Sequence, residues 1–289
     1  GAAAGCVNWG FPTLADTDIP EVLPTGICTY EHVVANVPHD EIVQRSVEVR
    51  GLKVTVSTID IPLSFGPAYE GERVRGADLY AQTGGGKTQC TELVKMAEMN
   101  EIEDGKVDIV GPDITDVKEG GTFPLGIYVQ IAGREFQTDF EPIIERQIHH
   151  LINYIQGIMH IGQRDISWVR ISKAAIDKGF TLKDIGVVLH AKFHQDFQKI
   201  IDKVQVTLYT NKKDVDALTK RARGEYKLRD ERVEKMTDED VETYYSCTLC
   251  QSFAPNHVCS VSPERTGLCG AYNWMDCKAS FEINPTGPN

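Results

Sequence analysis

The chain has 289 residues, 42 of them acidic and 30 basic, giving a formal net charge of −12. That length accommodates about two domains, and the acidic balance argues against nucleic acid or an anionic membrane as the main partner, since both require a basic face. No apolar run approaches the ~20 residues that span a bilayer, and no charged leader precedes an apolar core at the N-terminus.

The opening Gly1-Ala2-Ala3-Ala4 lacks a Met, and the closing Pro285-Thr286-Gly287-Pro288-Asn289 lacks an obvious final element. The chain therefore reads as an internal piece of a longer protein. Residues 1–51 mix short apolar pieces with Pro and Gly turns, and Glu41 to Val49 could be a strand or a short helix. This stretch is expected to be the tail of a preceding α/β domain. From Lys53 to Ile61 the residues alternate as in a half-buried strand. Gly84-Gly-Gly-Lys87-Thr88 looks like a phosphate-binding loop, but Ala81 stands where the full pattern needs a glycine, so a turn before a helix over Thr91 to Met99 is expected instead.

Val107 to Val110 and Leu125 to Ile131 have strand composition. Pro142 to Gly157 carries Ile144, Ile148, Leu151, Ile152 and Ile155 at helical spacing, with Pro142 in the first turn. Thr181 is a candidate cap for a second helix. Lys203 to Thr210 reads as a strand, and Val215 to Arg223 as a charged helix interrupted at Gly224. A short helix opens at Thr237-Asp-Glu-Asp. The expected fold class is multidomain α+β: the tail domain to residue 51, a middle α+β domain over 52–240, and the start of a cluster-binding α+β domain over 241–289.

Chemistry concentrates at that last boundary. Five of the eight cysteines lie between Cys247 and Cys277, while Cys6, Cys28 and Cys90 are scattered and read as buried thiols. A long chain with one dense knot suits metal ligation in a reducing cytoplasm better than a disulfide scaffold. Cys247, Cys250, Cys259 and Cys269 are spaced C-x2-C-x8-C-x9-C. Four thiolates can hold tetrahedral zinc or an iron–sulfur cube, and the spacing alone leaves both open. Other clusters are weaker. His190 and His194 stand at i, i+4 but lack the glutamate of a metalloprotease, and the adjacent His149 and His150 are not expected to share a helix face. Arg164 and Arg170 flank Trp168, a combination that can stack on a ring and bind phosphate. Arg221, Arg223, Arg229 and Arg232 form a second basic stretch, read first as a solvated helix face.

The run Cys247-Thr-Leu-Cys250-Gln-Ser-Phe253-Ala-Pro-Asn-His257-Val-Cys259, followed by Pro263-Glu-Arg-Thr-Gly-Leu-Cys269-Gly-Ala-Tyr-Asn-Trp274, closely resembles the acetyl-CoA synthase subunits of carbon monoxide dehydrogenase/acetyl-CoA synthase complexes. The likeness extends upstream to Gly5-Cys6-Val-Asn-Trp9-Gly-Phe-Pro12. It implies a cytoplasmic acyltransferase of anaerobic carbon fixation. That enzyme condenses a corrinoid-bound methyl group, carbon monoxide and coenzyme A into acetyl-CoA at a nickel/iron–sulfur cluster. A 4Fe–4S cluster is implied on Cys247, Cys250, Cys259 and Cys269, with Cys250 bridging to a proximal nickel and Phe253 over its open face. A second nickel would sit in a Cys-Gly-Cys tripeptide, which this sequence does not contain, so the piece is expected to hold iron–sulfur without turning over. The resemblance also implies a carbon monoxide dehydrogenase subunit and a corrinoid iron–sulfur protein as partners, and coenzyme A near arginines of the middle domain. Cys277 falls outside the four and reads as a buried thiol, and His257 as a donor to a cluster sulfur or as loop packing. The alternatives are a non-catalytic iron–sulfur or zinc module and a nucleotide hydrolase built on the Gly-rich loop.

Overall fold

The computed structural model describes residues 59–66, 69–133, 139–164, 166–249, 256–285 and 287. The chain divides into two units, residues 1–60 with 65–69, and residues 61–64 with 70–289. The elements below all belong to the second. The strand expected from Lys53 to Ile61 lies mostly outside the described residues, as do Cys6 and Cys28.

The order is β1 (Leu79–Gly84), β2 (Cys90–Met96), β3 (Val107–Val110), β4 (Gly121–Thr122), β5 (Leu125–Ala132), α1 (Phe140–Asn153), β6 (Ile158–Gln163), β7 (Ile166–Ser172), α2 (Lys173–Asp177), α3 (Leu182–Asp196), β8 (Lys203–Tyr209), α4 (Lys212–Glu231), β9 (Tyr245–Cys247), β10 (Cys259–Val261) and α5 (Trp274–Ile283). The strands form one sheet ordered β4-β1-β7-β6, a second ordered β2-β5-β8-β3, and the two-stranded β9–β10 ribbon. The second sheet is mixed: β2 runs parallel to β5 and β3 to β8, while β5 and β8 are antiparallel. This is the expected α+β class. Among the described residues no helix is long and apolar enough to cross a membrane.

Three expectations need correction. Residues 90–96 form strand β2 rather than a helix. Cys90 to Val94 are all buried, with α1 and α4 packed against the strand, and a strand buried on both faces shows no alternation. The Gly-rich segment is therefore a turn joining two strands; Gly84, Gly85 and Gly86 all take φ of 65 to 80°, which only glycine adopts without strain. The element that follows the turn is a strand, so no helix N-terminus opens there to cradle a phosphate, which removes the nucleotide-loop reading. Helix α4 runs unbroken through Gly224. One glycine costs about 1 kcal/mol in a helix, and that is outweighed by the apolar stripe of Leu218, Ala222 and Tyr226 packed on Leu93 and Tyr128. Finally, α1 ends at Asn153, after which Gly157 at φ 80° turns the chain into β6.

Helix α1 explains how the sheets are joined. All of its residues except Gln147 are buried, including Glu141, Glu145, Arg146, His149 and Asn153. Its polar side chains cap two sheet edges. On β2, the Val94 N–H donates to Glu145 (3.1 Å) and the Met96 N–H to Glu141 (2.9 Å). On β6, Asn153 accepts from the His160 N–H and donates to the His160 carbonyl, both at 2.7 Å. Arg146 donates to the Gly162 carbonyl (3.2 Å), and the Gly162 N–H donates to His149 Nδ1 (3.3 Å). The edges contact each other through Glu92 of β2, which pairs with His160 of β6 and accepts from Ser167 of β7 at 2.8 Å. Burial first, with help from the neighbouring His160 and Arg146 charges, drives the His149 pKa far below its ordinary value, so the ring stays neutral.

The carboxylates of α1 are balanced from α4. Arg229, 3% exposed, donates to both oxygens of Glu145 at 3.0 and 3.3 Å. Lys95 bridges Glu141 and Glu225, each at 3.0 Å. Helix α5 is tied to the same place: its cap Asn273 exchanges bonds with Asp276 and donates to the Arg229 carbonyl (3.2 Å). Burial lifts Asp276 to about 7, with the Asn273 N–H, Arg229 and Arg232 opposing and Asp139 adding to the rise.

Two outcomes follow from these buried charges. Arg229→Ala strands the Glu145 carboxylate, and urea unfolding should read a loss of about 3–5 kcal/mol, whereas Arg229→Met combined with Glu145→Gln should recover most of it. Asp276 ionises less readily folded than unfolded, so its contribution is whole below about pH 4 and disappears as pH rises through about 7. Thermal melts between pH 4.5 and 7.5 should therefore show a flatter pH dependence for Asp276→Asn than for the unaltered chain, by a few degrees, since ~1 kcal/mol moves the midpoint by ~2–4 °C at this size.

Candidate functional site

The β9–β10 ribbon places Cys247 directly opposite Cys259, with Ser246 opposite Ser260 and Tyr245 opposite Val261. Opposed residues of an antiparallel pair project to the same face, so strand pairing alone brings these two sulfurs side by side. After β10 the chain reverses through Ser262 to Arg265, which exchange backbone hydrogen bonds at 3.0 and 3.1 Å. A second turn follows, closed by Gly270 N–H to the Gly267 carbonyl at 2.8 Å, with Gly270 at φ 68°. This turn presents Cys269, whose sulfur accepts from the Ala271 N–H at 3.4 Å.

Buried groups stand close to these cysteines in sequence. Tyr272 is 1% exposed and its hydroxyl, among the described residues, has no hydrogen-bond partner. Burial raises its pKa well above the ordinary phenol value; Arg146 opposes, and Cys247 and Cys269 add to the rise. Cys277, fully buried on α5, is raised first by burial and then by Cys247, Asp276, Cys269 and Cys259. Among the described residues, Cys259, Cys269 and Cys277 form no disulfide. His257 Nε2 lies 3.2 Å from the Cys259 sulfur, the contact expected of a donor to a cluster ligand. The opposed Cys247 and Cys259, a ring nitrogen at the Cys259 sulfur and a backbone N–H at the Cys269 sulfur are donor chemistry that suits a soft metal. Cys250 and Phe253 lie outside the described residues.

The other sequence-predicted residues fall in two places. Trp168 and Arg170 share one face of β7, with the Arg170 guanidinium 4.3 Å from the Trp168 ring centre. Arg170 is held by Gln82 (3.1 Å) and the Val74 carbonyl (3.1 Å). The Gly-rich turn abuts them: a Cβ on Gly85 would stand 3.1 Å from the indole nitrogen, which is buried and, among the described residues, lacks an acceptor. Arg164 is drawn away to α4, where it binds Asp230 at 2.8 to 2.9 Å and sits 5.6 Å from the Tyr226 ring. Of the second basic stretch, Arg229 is consumed by Glu145, Arg232 pairs with Asp139, and Arg221 lies 5.0 Å from the Tyr128 ring.

Cys90 is buried beside Ser167 (3.1 Å), and burial followed by the Glu92 charge pushes its thiol up to about 12, as an inert core thiol should be. The histidine pairs are corrected. His149 and His150, though adjacent, bring ring nitrogens to within 4.8 Å of each other and of Glu70. Long imidazoles about 100° apart on a buried helix can still lean together, which spacing does not show. Sequence reasoning also missed Tyr272; its only signal was an aromatic residue close behind Cys269.

Comparison with known proteins matches residues 61–215 to the family described as CO dehydrogenase/acetyl-CoA synthase complex beta subunit, and residues 226–289 to the family describing the C-terminal part of the ACS/CODH beta subunit. The chain is 49% identical over its whole length to the carbon monoxide dehydrogenase/acetyl-CoA synthase subunit alpha of Moorella thermoacetica, covering 39% of that protein. It is 44% identical over 80% of its length to the acetyl-CoA decarbonylase/synthase complex subunit beta of Methanopyrus kandleri, covering 50% of it. It is 40% identical over 99% of its length to subunit beta 1 of the acetyl-CoA decarbonylase/synthase complex in Methanocaldococcus jannaschii, covering 37% of it. The chain thus spans half or less of the length of these relatives. On the family match over most of the described fold, the chain belongs to the CO dehydrogenase/acetyl-CoA synthase complex beta subunit family.

Proposed function

We propose that this chain forms the iron–sulfur portion of the centre of a CO-methylating acetyl-CoA synthase, an acyltransferase joining a corrinoid-bound methyl group, carbon monoxide and coenzyme A. The observation that carries this reading is the direct opposition of Cys247 and Cys259 in the β9–β10 ribbon, with His257 Nε2 3.2 Å from the Cys259 sulfur. In this reading Cys247, Cys250, Cys259 and Cys269 would hold a 4Fe–4S cluster, and Cys250 would also be a ligand to nickel. When bound, such a centre supplies the soft metal at which carbon–carbon bond formation takes place.

The chain's own residues shape the site around that centre. His257 places a ring nitrogen at the Cys259 sulfur, where an N–H would spread its charge. Tyr272, Cys277 and Trp274 present a buried wall that keeps bulk water from the sulfur side. Phe253 is assigned to the open face of the nickel. Trp168 and Arg170 offer coenzyme A a stacked indole and guanidinium, with Arg170 already oriented by Gln82. Arg164, bound to Asp230, is a lesser candidate for the same ligand. We assign residues 52–240 to the middle domain and 241–289 to the start of the cluster domain. The partners in this reading are a carbon monoxide dehydrogenase subunit and a corrinoid iron–sulfur protein, and the location is a reducing cytoplasm that keeps the cysteines as thiols.

Anaerobic reconstitution of the chain with iron and sulfide should yield a brown protein with about four irons per chain and broad visible absorption. Cys259→Ser should lose most of that iron, while Cys277→Ala should retain it. A colourless product that instead takes up one zinc would overturn the assignment. For coenzyme A, calorimetric titration of Arg170→Ala should show affinity about tenfold weaker, equivalent to ~1.4 kcal/mol, with Arg221→Ala near the unaltered value.

A further inference from the structure

A second metal-ligand set stands far from the thiols in sequence and outside everything assigned above. Helix α3 carries His190 and His194 one turn apart. The Nε2 atoms of both approach a single carboxylate oxygen, Asp104 Oδ1, at 3.1 and 2.7 Å. The two rings are 4.7 Å apart centre to centre, and the three ligand atoms all lie within 4.8 Å of one another.

Two features distinguish this from a chance meeting of surface charges. First, the carboxylate is fixed. Asp104 lies between β2 and β3 in a segment pinned to β8. Its Oδ1 accepts from the Val204 N–H (2.9 Å), the Gly105 N–H donates to the Val204 carbonyl (3.0 Å), and Lys203 donates to the Met99 carbonyl (2.6 Å). The histidines ride on a helix packed against the same strand, so neither side must reorganise to close on an ion. Second, the spacing matches. Ligands about 2.0–2.1 Å from a tetrahedral ion are about 3.3 Å apart, and the observed 2.7 and 3.1 Å need only a few tenths of an ångström of opening.

The side chains are 30%, 29% and 41% exposed for His190, His194 and Asp104, so a hydrated ion can reach them and retain water at the open positions. The buried Glu70, His149 and His150 group is a poorer host. His150 is closely paired with Glu70, and His149 Nδ1 already accepts from Gly162.

We propose that Asp104, His190 and His194 form a binding site for one borderline divalent cation, of the zinc, cobalt or nickel class, with solvent completing its coordination. Two imidazoles and a carboxylate are the donor set such ions prefer. The Val204 N–H then serves as the outer partner that orients the carboxylate. The ion would clip α3 to the segment leading into β3.

Cobalt(II) titration of the full reduced chain separates this site from the cysteines. Thiolate-bound cobalt gives intense near-ultraviolet charge-transfer bands, whereas a nitrogen–oxygen site gives only weak visible bands. The unaltered chain should show both sets. His190→Gln combined with His194→Gln should lose the weak bands and one equivalent of bound metal, with the thiolate bands unchanged. Equal stoichiometry and equal spectra in the two proteins would overturn the proposal. Should the double variant fail to fold, nickel(II) added to the unaltered chain decides: selective broadening of the His190 and His194 imidazole resonances supports the site, and unbroadened resonances overturn it.

Discussion

Two sheets present open edges to each other in this fold, and the chain closes both with the side chains of one helix. An unpaired strand edge exposes backbone N–H and carbonyl groups that must be satisfied once water is excluded. Helix α1 supplies Glu141 and Glu145 to the β2 edge, and Arg146, His149 and Asn153 to the β6 edge. The helix can be buried nearly all round only because those polar groups find backbone partners. The edge strands in turn can sit in the interior only because the helix is polar where it meets them.

This constraint extends to the cysteine-bearing end of the described chain. The carboxylates that cap β2 need cations, and Arg229 of α4 provides the buried one. The carbonyl of the same Arg229 receives Asn273, the residue that starts α5. Arg146, engaged with β6, also acts on Tyr272 in the wall behind the cysteines. A continuous set of buried polar contacts therefore connects the joined sheets to the helix that carries Cys277. Pairing opposite charges offsets the cost of burying them, so Glu141, Glu145 and Arg229 lie together in the interior.

Several elements were legible in the sequence. The strands at Val107–Val110, Leu125–Ala132 and Lys203–Tyr209 carry their β-branched residues in short runs, and α3 has its capping pair Thr181 and Asp184. Strand β2 escapes such a reading because it is buried on both faces and contains Glu92, whose partners His160 and Ser167 are more than sixty residues away. Strands β6 and β7 escape it for a similar reason: the residues that satisfy the β6 edge sit on α1, and no local pattern announces that.

Cysteine identity and spacing, set by the sequence alone, are what point to a thiolate centre near the C-terminal end of this chain. The reason is chemical: soft ligands in that density have few other uses, whatever the surrounding fold. Only the tertiary structure decided which groups accompany them. Strand register put Cys247 opposite Cys259, a turn presented Cys269, and Tyr272 and Cys277 were buried close by in the chain. It also separated Arg164 from Trp168 and drew Asp104 to His190 and His194. Contacts of that kind depend on where distant segments pack, and local residue order carries no record of them.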